Sequence, residues 1–260
     1  MSLSLAQDIL GIVSGGVVGF TLGFVGGGGS ILAVPLMVYL VGVSDPHTAI
    51  GTSALAVAAN AAANLLNHAR GGTVKWRCAA VFAVAGVAGA LIGSTLGKAV
   101  DGHRLLVLFA GLMVIVGALM LRKRGGEGDP AVTLSGRNAP RLLAMGGMTG
   151  ALSGFFGIGG GFLIVPSLMA STRMPILYAV GSSLVAVTAF GLTTALNYAA
   201  SGWVDWRLAG LFLAGGVAGG LFGAELAKTL SARRGLLNTV FAGLIFVVAA
   251  YMLFRSATAS

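Results

Sequence analysis

Residues 23–35 read GFVGGGGSILAVP, four consecutive glycines, Gly26 to Gly29, set in an apolar run long enough to cross a bilayer. Each glycine costs about 1 kcal/mol relative to alanine inside a helix, so the run predicts a helix interrupted at the glycines. The pattern returns at residues 154–166, GFFGIGGGFLIVP. Non-helical backbone at membrane depth is tolerated where its freed amides and carbonyls are buried in protein or line a wet cavity. Two breaks at matching positions of two halves are the pattern by which secondary carriers build a solute site.

Composition sets the class. The chain has 260 residues, is 57% hydrophobic and 9% charged, and has a mean hydropathy of +0.95. A soluble domain carries about 25% charged residues, so the sequence predicts an all-α polytopic membrane protein. The 43 glycines in apolar sequence indicate closely packed helices. A formal charge of +9 suggests nucleic acid at first sight, but the 16 Lys and Arg lie almost entirely between apolar segments. They read as topology signals held on the cytoplasmic side of a cell (inner) membrane, with binding of anionic headgroups as the second reading. The single cysteine, Cys78, excludes an internal disulfide and every multi-cysteine metal motif. It reads as a small residue entering a membrane helix. The amino terminus, MSLSLAQDIL, lacks the basic region of a signal peptide, so the first apolar segment is expected to be retained.

Apolar segments fall near 5–25, 30–42, 47–68, 78–98 and 104–121, then near 141–157, 161–171, 175–199, 207–228 and 234–254. The segments at 30–42 and 161–171 are short for a crossing of about 20 residues and read as half-helices. Between the two sets lies RKRGGEGDPAVTLSGRNAP, residues 122–140, without apolar periodicity and read as a solvated cytoplasmic linker. The two sets are one unit written twice. At an offset of 131, Gly15, Gly19, Gly23, Gly26, Gly28, Gly29 and Pro35 fall on Gly146, Gly150, Gly154, Gly157, Gly159, Gly160 and Pro166. At an offset of 130, Gly51, Ser53, Asn67, Gly72, Trp76, Arg77, Gly86, Gly93 and Lys98 fall on Gly181, Ser183, Asn197, Gly202, Trp206, Arg207, Gly216, Gly223 and Lys228. Order kept over so many positions indicates internal duplication, with a first membrane repeat at 1–121 and a second at 141–260. Each repeat has four or five crossings. If the half-helices carry the chain across, the repeats are inverted; if not, they are parallel. The inverted arrangement distributes the Lys and Arg more unequally between the two faces and is preferred.

A half-helix starting at Ser30 or Gly161 presents unpaired amides, equivalent to about half a positive charge. Gly27, Gly28, Gly29, Gly159 and Gly160 place no side chain in the way of a small anion. The alternative is that the glycines serve tight packing alone, as do the ladders Gly11, Gly15, Gly19, Gly23 and Gly89, Gly93, Gly97. Ser53, Asn60, Asn64 and Asn67 share one face of a helix, matched by Ser182, Ser183, Thr194 and Asn197, with Phe190 where Asn60 sits. Asn64, Asn67 and Asn197 are the side chains expected to join the glycines in binding, against the plainer reading that they tie helices together. His68, beside Arg70, reads as interfacial rather than a proton relay, and Glu225 as the partner of Lys228 one turn away, with a proton-coupling acid as the alternative. Trp76 and Trp206 read as interface anchors, and Lys98 and Lys228 as snorkelling.

No dinucleotide fingerprint, no Walker sequence and no cluster of metal-ligating residues occurs, so neither cofactor nor metal is expected and the chain does not read as an enzyme. The breaks GGGGSILAVP and GIGGGFLIVP, the following GTSALAV and GSSLVAV, and the GxVxWR sequences at Gly72 and Gly202 resemble the sulfite exporter TauE/SafE family. The resemblance implies a permease for sulfite, sulfonates and related organosulfur anions working by alternating access. Two other classes stay open: an anion channel using the same amides, and a membrane scaffold that transports nothing. The expected partners are a small anionic substrate and the lipid bilayer, with no nucleic acid. The sequence leaves a homodimer, the direction of transport and the coupling ion open.

Overall fold

The structure, a computed structural model, describes residues 5–25, 27–122, 128–159, 161–230, 243, 246–252 and 254. The described residues form helices and no strand. In order these are α1 (Leu5–Val25), a 3-10 segment (Gly27–Leu32), α2 (Ala33–Pro35), a π turn (Leu36–Leu40), α3 (Pro46–Arg70), α4 (Trp76–Ala99) and α5 (Gly102–Arg122). After the linker come α6 (Ala139–Phe156), α7 (Gly161–Thr172), α8 (Ile176–Ala199) and α9 (Trp206–Leu230). The segment expected near 234–254 lies mostly outside the described residues; residues 246–252 are helical. Five described helices are long and apolar enough to cross a membrane: Leu5–Phe24, Pro46–Arg70, Trp76–Ala99, Ile176–Ala199 and Trp206–Gly223. The chain is a polytopic helical membrane protein.

Local chemistry sets the ends. Asp45 caps α3, its carboxylate accepting from the Thr48 amide at 2.9 Å and the Thr48 hydroxyl at 2.6 Å, with Pro46 in the first turn. The Asp45 carboxyl is raised by partial burial, but the bonds from Thr48 and His47 outweigh this and hold it below its ordinary value. Gly157 closes α6 in the left-handed region, φ 67°, where a side chain would be strained. Pro35 brings no N–H to its helix, and the following turn is wound wider, the Val41 amide donating to the Leu36 carbonyl at 2.9 Å.

Packing is set by glycine. Gly15 of α1 lies on the Phe212 carbonyl and Gly19 on the Gly216 carbonyl of α9. Gly146 of α6 lies on the Phe82 carbonyl and Gly150 on the Gly86 carbonyl of α4. The first helix of each half therefore packs parallel to a helix of the other half, α1 on α9 and α6 on α4, backbone to backbone. Between them α3 and α8 run antiparallel: Gly51 meets the Trp203 carbonyl, and Gly181 meets the Thr73 carbonyl. Two hydroxyls fasten this crossing, Thr52 accepting from the Asp205 amide at 3.0 Å and Ser182 from the Lys75 amide at 2.8 Å. Asn60 and Asn64 of α3 lie beside Gly216 and Gly220 of α9, so these two helices are parallel. Gly86 meets Phe190, and Ser94 bonds Asn197, so α4 and α8 are parallel too. Helices α1, α3 and α9 thus point one way, and α4, α6 and α8 the other. Since α1 and α3 share a direction, the stretch 27–40 returns the chain along the bundle, as residues 161–172 do between α6 and α8.

The described part of the linker, residues 128–140, is mostly exposed and is also tied to the bundle. Asp129 donates its amide to the Arg173 carbonyl at 3.0 Å, Lys75 Nζ bonds the Pro130 carbonyl at 2.5 Å, and Val132 and Leu134 are partly buried against the core.

Candidate functional site

Both glycine tracts interrupt the α-helical winding, each in its own way. The second follows the expectation: α6 stops at Phe156, residues 157–159 turn, and α7 begins at Gly161. The first begins earlier than the half-helix expected at Ser30, because Gly27–Leu32 is wound as a 3-10 segment directly after α1. A 3-10 turn closes on i→i+3 bonds, which bare glycine backbone adopts at little steric cost. Gly160 lies outside the described residues.

The first interruption packs against α1 and against α7, the helix that begins after the second interruption. Gly29, Ser30 and Gly161 are buried. A Cβ on Gly29 would run into Thr21 and Leu22 of α1, and one on Gly157 would run into Ile50. Gly159 has φ 63°, and a Cβ there would stand 3.0 Å from Val57 Cγ1 and 3.5 Å from Val187 Cγ1. Those two valines occupy the same place in the two halves, on α3 and α8, so the crossing of the central helices converges on the second break. The first amides of α7, beginning at Gly161, have no acceptor within their own helix and carry its positive end.

The asparagines are placed less evenly. Asn64 is 8% exposed and donates to the Asn60 carbonyl at 3.0 Å. Asn67 is exposed near the end of α3. Asn197, half-buried near the end of α8, donates to Ser94 Oγ at 2.6 Å and Thr95 Oγ1 at 3.1 Å, while its Oδ1 accepts from Lys98 Nζ at 2.8 Å. Ten residues, about 15 Å of helix, separate Asn67 from Val57 and Asn197 from Val187. Because α3 and α8 are antiparallel, those two amides stand toward opposite ends of the bundle. Lys98 does not snorkel. Its three ammonium hydrogens go to the Asn197 carbonyl, Asn197 Oδ1 and Ser201 Oγ, all within 3.1 Å. The Lys228 side chain lies outside the described residues, and Glu225 is exposed on α9. His68 Nδ1 is 2.8 Å from Thr73 Oγ1. Trp76 and Trp206 are exposed at the starts of α4 and α9, as interface anchors are. Among the described residues no group of three His, Cys, Asp or Glu is placed to hold a metal.

The family model described as Sulfite exporter TauE/SafE matches residues 11–252. The chain belongs to the sulfite exporter TauE/SafE family. This TauE/SafE protein is 54% identical over 258 residues to a "Probable membrane transporter protein" of Xylella fastidiosa strain 9a5c, covering 98% of each chain. It is 27% identical over 248 residues to the "Probable membrane transporter protein YunE" of Bacillus subtilis strain 168, covering 86% of this chain and 89% of the relative. It is 26% identical to YdhB of the same organism, with 88% and 91% covered. No solved structure matches it significantly. The TauE/SafE protein is a multi-pass membrane transporter.

Proposed function

We propose that this protein is a secondary carrier of small sulfur-containing oxyanions, sulfite or an organosulfonate, in the cell (inner) membrane. The observation that carries the reading is the packing of the first glycine interruption against α7, the helix that starts at the second, where Val57 and Val187 converge on Gly159. Amides of Gly27, Gly28, Gly29 and Ser30 on one side and of Gly159, Gly160 and Gly161 on the other form the anion site, with the side chains of Asn64, Asn67 and Asn197 contributing hydrogen bonds. Such a site needs no arginine, because helix-start amides and the dipole favour negative charge. The family description supports sulfur as the central atom of the solute. The relatives' names support a transporter over an enzyme.

The two halves are read as inverted repeats. Equivalent helices point in opposite directions in each case: α1 against α6, α3 against α8, and α4 against α9. Contacts recur at matched positions, Gly15 on Phe212 answering Gly146 on Phe82, and Thr52 with Asp205 answering Ser182 with Lys75. The Lys75 bond to Pro130 and the Asp129 bond to Arg173 gather the linker and two turns on one face. That face also holds Arg70, Arg77, Arg137 and Arg141, which supports its lying in the cytoplasm. Alternating access is then rocking of one half against the other about the breaks.

A thermal-stability screen of sulfite, thiosulfate, sulfate, sulfoacetate, taurine and carboxylate analogues, followed by counterflow in proteoliposomes, tests the reading. A carrier raises its melting temperature with one oxyanion and exchanges it saturably. A channel built on the same amides passes current that saturates weakly, and a scaffold responds to no anion.

A further inference from the structure

Asn60, on α3, is 1% exposed, and neither its Nδ2 nor its Oδ1 has a hydrogen-bond partner among the described residues. The amide lies directly on the backbone of Gly216 in α9, where any side chain would collide with it. The matching position in the second half is Phe190, whose ring lies on Gly86 in the same manner and stacks on Phe82 with centroids 6.2 Å apart. The fold therefore packs an apolar ring at this place, and the amide is not needed to fill it. An amide offers two donor hydrogens and an acceptor oxygen, and buried polar groups in native proteins are paired. A polar guest is what completes Asn60.

Its position ties it to both interruptions. Asn60 stands one turn beyond Val57, the residue 3.0 Å from the Cβ position of Gly159. Gly216, on which Asn60 rests, also carries Gly19 of α1, and the next turn of α1, Thr21 and Leu22, packs on Gly29.

We infer that Asn60 contacts the transported solute and selects an oxyanion that also bears a hydroxyl. The amide N–H donates to an anionic oxygen, and Oδ1 accepts from the hydroxyl. This rests on the anion-carrier reading above and adds a specificity that amides alone do not give, since backbone N–H groups only donate. A site that hydrogen-bonds a hydroxyl discriminates strongly against the analogue lacking it, because the buried acceptor is then left unpaired. Hydroxymethanesulfonate and ethanesulfonate are the matched probes: both are monoanions of similar size, with O–H in one where the other has a methyl group.

Isothermal titration of the purified full chain with these two anions and with sulfite tests the inference, using wild type, Asn60→Leu and Asn60→Phe, the last copying the residue of the other half. Wild type is expected to bind hydroxymethanesulfonate about ten-fold or more tightly than ethanesulfonate. In both variants that preference disappears through weaker binding of the hydroxylated anion, while the melting temperature without ligand stays level or rises. A variant that kept the preference, or a wild type that bound sulfite without preferring the hydroxylated sulfonate, would overturn the role of Asn60 and leave the carrier reading standing. If wild type bound none of the three, the carrier reading would fall and this inference with it.

Discussion

At Gly19 a single hydrogen lets the backbone of α1 touch the Gly216 carbonyl of α9. A methyl group there must push two long helices apart. Gly19→Ala is expected to cost about 1–3 kcal/mol of stability, the ordinary cost of overpacking, read as an earlier thermal transition in detergent. Gly210, on the same helix α9, has nothing within 4 Å of its Cβ position. Gly210→Ala should therefore be neutral or gain up to about 1 kcal/mol from helix propensity. Equal losses at the two positions would show that the glycines are not contact points. Asp45 carries the pH dependence of the α3 start. Burial opposes its charge, yet its bonds to Thr48 and His47 hold its folded value below the unfolded one. Its contribution is present above the unfolded value and is lost as pH falls through the folded value. Asp45→Asn should flatten the acidic limb of the melting-temperature profile, and an unchanged limb would exclude the cap as its source.

Helix bounds were legible because period and composition run along one element: α1, α4 and α8 begin and end within about two residues of the expected limits, inside the usual fraying of helix ends. The second interruption was legible for the same reason, with Gly157 and Gly159 at positive φ. The winding of the first was not, since a run of bare backbone fits a 3-10 turn as readily as a clean stop. Partners across elements were hidden as well. Ser182 was legible as part of a polar helix face and Thr52 holds the matched offset in the other half, yet nothing in one helix says that its hydroxyl receives an amide from a distant turn. Lys98 looked like a snorkelling cation because its acceptors, Asn197 and Ser201, lie about 100 residues away in sequence. Lys98→Met should loosen the ends of α4 and α8. The expected readout is faster hydrogen exchange confined to residues near Ser201, with insertion unchanged; protection equal to wild type would mean the three bonds contribute nothing.

For the whole molecule, the inverted arrangement proposed above puts the linker and the α8–α9 turn on opposite faces. Ser135 and Ser201 are both exposed. In a Cys78→Ser background, Ser135→Cys should react with an impermeant thiol reagent from the cytoplasmic side and Ser201→Cys from the other. Labelling of both from one side would rule out the inverted arrangement. The proposed site depends on the same geometry, because facing half-helices bring two sets of amides to one level only if the halves are inverted.

The most direct measurement is sulfite counterflow in proteoliposomes for wild type, Ser30→Pro and Gly160→Val, with insertion and melting temperature checked for each. Proline removes an amide from the first interruption, and valine puts a branched side chain where a solute would approach the second. Saturable exchange by wild type and its loss in both inserted variants is the result the account predicts. Wild-type exchange retained in both would contradict it.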